Sequence, residues 1–124
     1  GSRKITLIGG TGTRLDHVLG NIQTLYLPFA KGIDCRIVDA HNRIRLVSGK
    51  LHLKMTEQWG KYVSLIPFTT DVEGVDLIGF KYPLEKFNFT VLGTGSRGVS
   101  NEIEEEEAVI RIEKGIMILV ESKD

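Results

Sequence analysis

The densest chemistry in the chain lies in Gly9–His17, "GGTGTRLDH". A glycine-rich turn between a strand and a helix aims backbone N–H groups and the helix's positive end at one point, where an anion can sit. Arg14 adds a guanidinium fork that matches phosphate oxygens. Asp16 adds a carboxylate able to orient a metal-bound water or a substrate hydroxyl. The stretch is not a P-loop, because no Lys-Ser or Lys-Thr follows the glycines. Nor is it the dinucleotide fingerprint, because Leu15 takes the place of the third glycine. The same residues also spell a Thr-x-x-Asp capping box, with Thr13 as N-cap. Capping and anion binding are compatible, since a capped helix start still leaves other amides free.

The remaining reactive side chains are scattered. His17 falls on the polar side of the expected helix, with no second metal ligand at a suitable spacing. His41 and His52 fall in a hairpin turn and on a strand's polar face, neither with a metal set. Cys35, the one cysteine, excludes an intrachain disulfide or an all-cysteine metal site. In "DCRIVD" it reads as an unactivated strand thiol. Trp59 could stack on a cationic ring, but its turn position favours a structural role. The run Glu102–Glu107 "EIEEEE" reads as a solvated segment that discourages edge-to-edge pairing.

These groups must be positioned by two kinds of element. "KITLIG" is a short β-branched run stopped by glycines, as a buried strand requires. From Leu15 the apolar residues Val18, Leu19, Ile22, Leu25, Tyr26 and Phe29 make one helical face, which Pro28 ends or kinks. After Lys31 come eight short apolar segments separated by turn residues, from "CRIVD" through "RIRLVSG" and "KLHLKMT" to "AVIRIE" and "IMILVES". They predict an antiparallel sandwich or barrel. One strand and one helix cannot form an α/β layer alone, so the opening unit is expected to be the remnant of a larger domain.

The chain has 124 residues and formal net charge zero. That size fits one domain, or a small domain plus part of another, and neutrality argues against a nucleic-acid binder. No apolar run reaches the ~18–20 residues of a membrane span, and no secretory pattern opens the chain. A soluble, reducing, cytoplasmic setting is expected.

The stretch "GGTGTRLDHVLGNI" resembles the Gly-x-Thr-Gly-x-Arg-x-Asp-His segment of bacterial thiamine pyrophosphokinases. "IVDAHNRIRLV", "YVSLIPF" with "LIGFKYPL", and "GVSNE" before "GIMILV" agree in order and spacing, so the resemblance spans Ile5 to Val120. It implies a mainly β chain: residues 3–33 the last strand and helix of an α/β catalytic domain, and residues 34–124 a thiamine-binding β-sandwich. It further implies transfer of pyrophosphate from ATP to the hydroxyl of thiamine, with Mg²⁺, giving thiamine diphosphate and AMP, in a homodimer. Gly10, Thr11 and Arg14 would bind the nucleotide phosphates, Arg14 and Asp16 would be catalytic, and Ser100 and Asn101 would contact thiamine. Thr13 stands where a second glycine is common. The family's acidic upstream motifs, which carry most metal ligands, are not in these residues, so the chain alone is expected to be inactive and to hold no metal. A non-catalytic sandwich serving binding or dimerisation is the alternative.

Overall fold

A computed structural model describes residues 3–8, 15–68, 70–92 and 95–124. β1 (Lys4–Ile8) is followed by α1 (Leu15–Thr24) and the short α2 (Tyr26–Ala30). The helical face expected from Leu15 to Phe29 is interrupted at Leu25, whose N–H donates to the Ile22 carbonyl at 3.1 Å. Pro28 is the cause: it has no N–H for the Thr24 carbonyl, and its ring crowds that oxygen.

Six strands follow: β2 (Asp34–Val38), β3 (Asn42–Lys54), β4 (Tyr62–Pro67), β5 (Val72–Ile78), β6 (Leu84–Phe89) and β7 (Glu107–Ser122). They form one hydrogen-bonded sheet in the order β1-β2-β3-β7-β5-β6, with β4 also on β7. The eight expected segments thus become six strands, because two pairs are continuous. "RIRLVSG" and "KLHLKMT" make β3, and "AVIRIE" and "IMILVES" make β7. The glycines read as turns are bends instead: Gly49 (φ 67°) and Gly115 (φ 115°) adopt left-handed backbone that favours glycine. The β3–β7 register shifts between Val47 and Gly49, as at a bulge.

The bends fold the sheet over itself into a sandwich. The first half of β3 and the second half of β7 continue to β2 and β4, and their other halves continue to β5 and β6. Between the layers lies a core that includes Leu65, Val75, Leu77, Phe89, Ile110, Met117 and Leu119, all nearly or fully buried. A second cluster, Leu25, Cys35, Ile37, Ile44 and Leu46, packs on the opposite face with Val18, Ile22, Phe29, Ile118 and Val120. β1 runs parallel to β2 in full register, Lys4 against Asp34 through Ile8 against Val38. The remaining pairings are antiparallel. Among the described residues no helix is long and apolar enough to cross a membrane.

Candidate functional site

Asn101 is a buried polar residue, 3% exposed, where three segments meet. It exchanges backbone hydrogen bonds with Val63 of β4 in both directions, at 2.8 Å each. Its side chain reaches the β5–β6 connection. Oδ1 accepts from the N–H of Tyr82 at 3.0 Å and of Glu102 at 2.9 Å, and Nδ2 donates to the Tyr82 carbonyl at 2.8 Å. An asparagine amide offers two donors and two acceptor lone pairs, so one N–H of Asn101 is left over from these bonds. Lys81 N–H adds a bond to the Glu102 carbonyl, and Phe80 bridges to Ile103.

The preceding residues are held as tightly. Ser100 adopts a left-handed backbone, φ 58°, and its N–H donates to Ser64 Oγ at 2.9 Å. A non-glycine residue persists there only where its surroundings fix it. The 3₁₀ turn Gly95–Gly98 lies against β4 so closely that a Cβ on Gly98 would sit 2.3 Å from the Leu65 carbonyl oxygen. Arg97 projects from this turn over the Phe87 ring, 4.8 Å from its centroid.

Together these elements wall a cleft of about 460 Å³, lined by Lys81, Tyr82, Pro83, Leu84, Arg97, Val99 and Asn101. Tyr82 is 56% exposed and lines the cleft, with Lys81 Nζ 5.5 Å from its ring centroid. Of the two expected thiamine contacts, Asn101 lines the cleft and Ser100 is its neighbour in sequence, outside the lining. Asp16 opens α1, accepts from the His17 N–H at 3.0 Å and does not line this cleft. Gly10, Thr11 and Arg14, with Thr13, lie outside the described residues. Sequence reasoning missed Tyr82 and Arg97. The "FKYPL" run around Tyr82 stands out only through the resemblance, and a clamp between residues 19 positions apart leaves no periodic trace.

The other candidates have structural places. Cys35 is buried in β2, and burial together with the Asp34 charge pushes its thiol pKa up. Trp59 is half-buried beneath Lys123 Nζ, 4.3 Å from the ring centroid. His41 Nδ1 lies 3.2 Å from the Lys123 carbonyl, and His52 pairs with Glu107. The acidic run is fastened at the N–H groups of Glu104 and Glu105, both donating to the Gly79 carbonyl. Among the described residues no three His, Cys, Asp or Glu side chains gather where they could hold a metal ion.

Residues 49–117, which carry every residue of the cleft, match the family model of the thiamin pyrophosphokinase vitamin B1 binding domain. The chain is 37% identical over 121 residues to the thiamine pyrophosphokinase of Bacillus subtilis, covering 97% of this chain and 55% of that protein. The crystal structure of thiamine pyrophosphokinase from the same organism superposes with a TM-score of 0.87 at 36% identity, over 98% of this chain and 56% of that one. That of Geobacillus thermodenitrificans gives 0.81 at 34%, over 98% and 55%. The Candida albicans enzyme, at 18% identity and a TM-score of 0.75 over 96% and 45%, shares the fold. The chain spans about half the length of these relatives. By its vitamin B1 binding domain, the chain belongs to the thiamin pyrophosphokinase family.

Proposed function

We propose that the chain is the thiamine-binding part of a thiamine pyrophosphokinase, with residues 3–33 closing the α/β catalytic domain and residues 34–124 forming the sandwich. The whole enzyme would transfer pyrophosphate from ATP to the hydroxyl of thiamine, yielding thiamine diphosphate and AMP, as a cytoplasmic homodimer. The observation that carries this reading is the match of residues 49–117 to the vitamin B1 binding domain, since that segment contains the whole Asn101 cleft.

The cleft's chemistry suits the ligand. An aminopyrimidine presents both donors and acceptors, and the remaining Asn101 N–H, on the cleft wall, can answer one of its acceptors, with Ser100 next to it in sequence. The ring of Tyr82, which has Lys81 Nζ 5.5 Å from its centroid, can stack on the thiazolium ring. By locking the Tyr82 peptide, Asn101 fixes the backbone that carries the ring before ligand arrives, which lowers the ordering cost of binding.

The opening unit supports the rest. β1 exposes Ile5, Leu7 and Ile8, the last at 87%, and the helices expose Leu19 and Leu27. A parallel strand normally has partners on both sides and helices on both faces, so this apolar edge fits against further strands of a catalytic layer. Gly10, Thr11 and Arg14 would hold phosphates there, and Arg14 and Asp16 would position the transferring group and the attacking hydroxyl. Mg²⁺ would neutralise charge on the transferring phosphates. Among the described residues no side chains gather to hold it; its ligands would lie in the family's upstream acidic motifs, without which the chain by itself would be inactive.

Calorimetric titration of thiamine into the chain tests the cleft. Tyr82→Leu and the double variant Ser100→Ala, Asn101→Ala should bind at least about tenfold more weakly, the loss of ~1.4 kcal/mol that one good polar contact represents. Equal affinity in all three proteins would place thiamine elsewhere. AMP formation from ATP and thiamine by the isolated chain would refute its inactivity.

A further inference from the structure

A second site stands on the inner face of the sandwich, away from Asn101. Strand alternation puts Arg43 and Arg45 on the face of β3 that buries Val47, while Ile44 and Leu46 face the helices. On β7 the same face carries Leu119 and Glu121, and on β2 it carries Asp34 and Arg36.

Two of the three arginines are matched. Arg36 forks Asp34, with Nε to Oδ1 at 3.0 Å and Nη2 to Oδ2 at 2.9 Å. Arg43 forks Glu121, with Nε to Oε1 at 3.1 Å and Nη2 to Oε2 at 3.0 Å, and the Glu121 side chain is only 4% exposed. Arg45 lies between them, close enough to feel the charges of Asp34 and Glu121, but among the described residues no carboxylate forms an ion pair with it. Its Nε is buried and has no hydrogen-bond partner among the described residues. Burial and the neighbouring Arg36 hold its pKa below the ordinary arginine value, but a guanidinium stays charged in a protein. A buried donor of this kind is costly to leave unpaired.

The local topology explains its position. The β2–β3 ladder consists of Ile37 with Ile44 and Val38 with Arg43, so the strands part just where Arg45 begins. Arg45 becomes the shared wall of two clefts of about 320 Å³ each. One is mixed, lined by Leu25, Phe29, Ile33 and Leu46 together with Asp34 and Ser48. The other is charged, with Lys4, Arg36, Arg43, Arg45 and Lys54 facing Glu57 and Glu121. Even with Asp34 counted against Arg36, the positive surplus exceeds one charge.

We propose that the charged cleft is a binding site for a doubly charged oxyanion of phosphate type, with Arg45 as its principal donor and Arg36 and Arg43 as its flank. A guanidinium fork matches phosphate oxygens in geometry and charge, and the volume suits a small ligand. None of the charged cleft's lining residues belongs to the Asn101 cleft, so the two sites can be tested separately.

The probes are inorganic phosphate, pyrophosphate and acetate, titrated at constant ionic strength into the ¹⁵N-labelled 124-residue chain. Phosphate and pyrophosphate should shift the Arg45 Nε–H resonance saturably, while acetate at the same concentration leaves it in place. By calorimetry, Arg45→Gln should weaken pyrophosphate binding at least tenfold, and Arg111→Gln, on the outer part of β7, should not. A resonance unmoved by phosphate, an equal response to acetate, or full affinity in the Arg45→Gln chain would each overturn the proposal. Should that variant fail to fold, the resonance titration of the unaltered chain decides alone.

Discussion

Asn101 holds Tyr82 by both ends of one residue's backbone, its Oδ1 accepting from the Tyr82 N–H at 3.0 Å and its Nδ2 donating to the Tyr82 carbonyl at 2.8 Å. The backbone that carries the cleft's aromatic residue is therefore held by a buried amide, and the same residue sustains fold and site. Asn101→Ala leaves both Tyr82 groups and the Glu102 N–H without their partner, which costs about 2–3 kcal/mol. Asn101→Asp should cost a similar amount, because it sets a carboxylate oxygen against the Tyr82 carbonyl. Urea denaturation measures both, and a loss under about 0.5 kcal/mol for either would show that water replaces the clamp.

Ser100 is expected to behave differently, although it adjoins Asn101. Its fold contribution comes through its backbone N–H and Ser64 Oγ, so Ser100→Ala should change stability by less than about 0.5 kcal/mol. Ser64→Ala removes the acceptor and should cost about 1 kcal/mol. Ser100→Gly relieves the left-handed backbone and should be neutral or slightly stabilising. Parallel urea curves for the three variants separate these effects, and a Ser100→Ala loss exceeding that of Ser64→Ala would reverse the assignment.

Two glycines should respond in opposite directions to the same substitution. At Gly98 a new Cβ would lie 2.3 Å from the Leu65 carbonyl oxygen and 3.0 Å from Phe89 Cε1. Neither the β4 backbone nor the core ring can yield cheaply, so Gly98→Ala should destabilise by about 2 kcal/mol or more and displace Arg97 from the cleft. Gly20, inside α1, meets nothing within 4 Å, and Gly20→Ala should stabilise by about 0.5–1 kcal/mol through helix propensity. Thermal melts of the two variants should move apart, and a fall in both would count against the close approach at Gly98.

How much of this was legible in the sequence depends on the range of the interactions involved. The helical face and the apolar strands are local patterns, and both were readable. The continuity of β3 and β7 was not, because Ser48-Gly49 and Lys114-Gly115 look like turns until their pairing partners continue past them. The site was readable as residue types and resemblance, through Ser100 and Asn101. What Asn101 does could not be read, since Tyr82 is 19 positions away. Arg45 was equally hidden. Alternation in "RIRLV" separates two faces, but only the folded sheet shows that both are covered and that Asp34 and Glu121 are committed to Arg36 and Arg43.

Asp34 carries the pH dependence that these charges predict. The Arg36 hydrogen bond and charge, helped by Arg45 and Lys4, outweigh partial burial and hold its carboxyl below the ordinary aspartate range. A depressed folded pKa stabilises the fold above the unfolded value, and that contribution is lost as pH falls through the folded one. The loss should therefore begin below about pH 4. Asp34→Asn should be less stable than the unaltered chain at pH 7, with the difference shrinking steadily as pH drops below 4. Urea midpoints at intervals from pH 2.5 to 7 would show this convergence, and a constant gap across that range would mean that Asp34 acts through its shape rather than its charge.

Cys35 offers a last test of how the helices seal the sheet. It lies 8% exposed in the cluster with Leu25, Ile37, Ile44 and Leu46, and burial plus the adjacent Asp34 charge push its thiol up. Only a thiolate with access to solvent reacts quickly, so both factors slow alkylation at neutral pH. Iodoacetamide should label the native chain at least about tenfold more slowly than the urea-unfolded chain. Leu25→Ala opens the covering layer at the buried residue between α1 and α2, 1% exposed. It should cost about 2–4 kcal/mol and accelerate native labelling, because the helices then open more often. Labelling that stayed slow in the destabilised variant would show that Cys35 is shielded by the strands alone, with α1 and α2 contributing nothing to its protection.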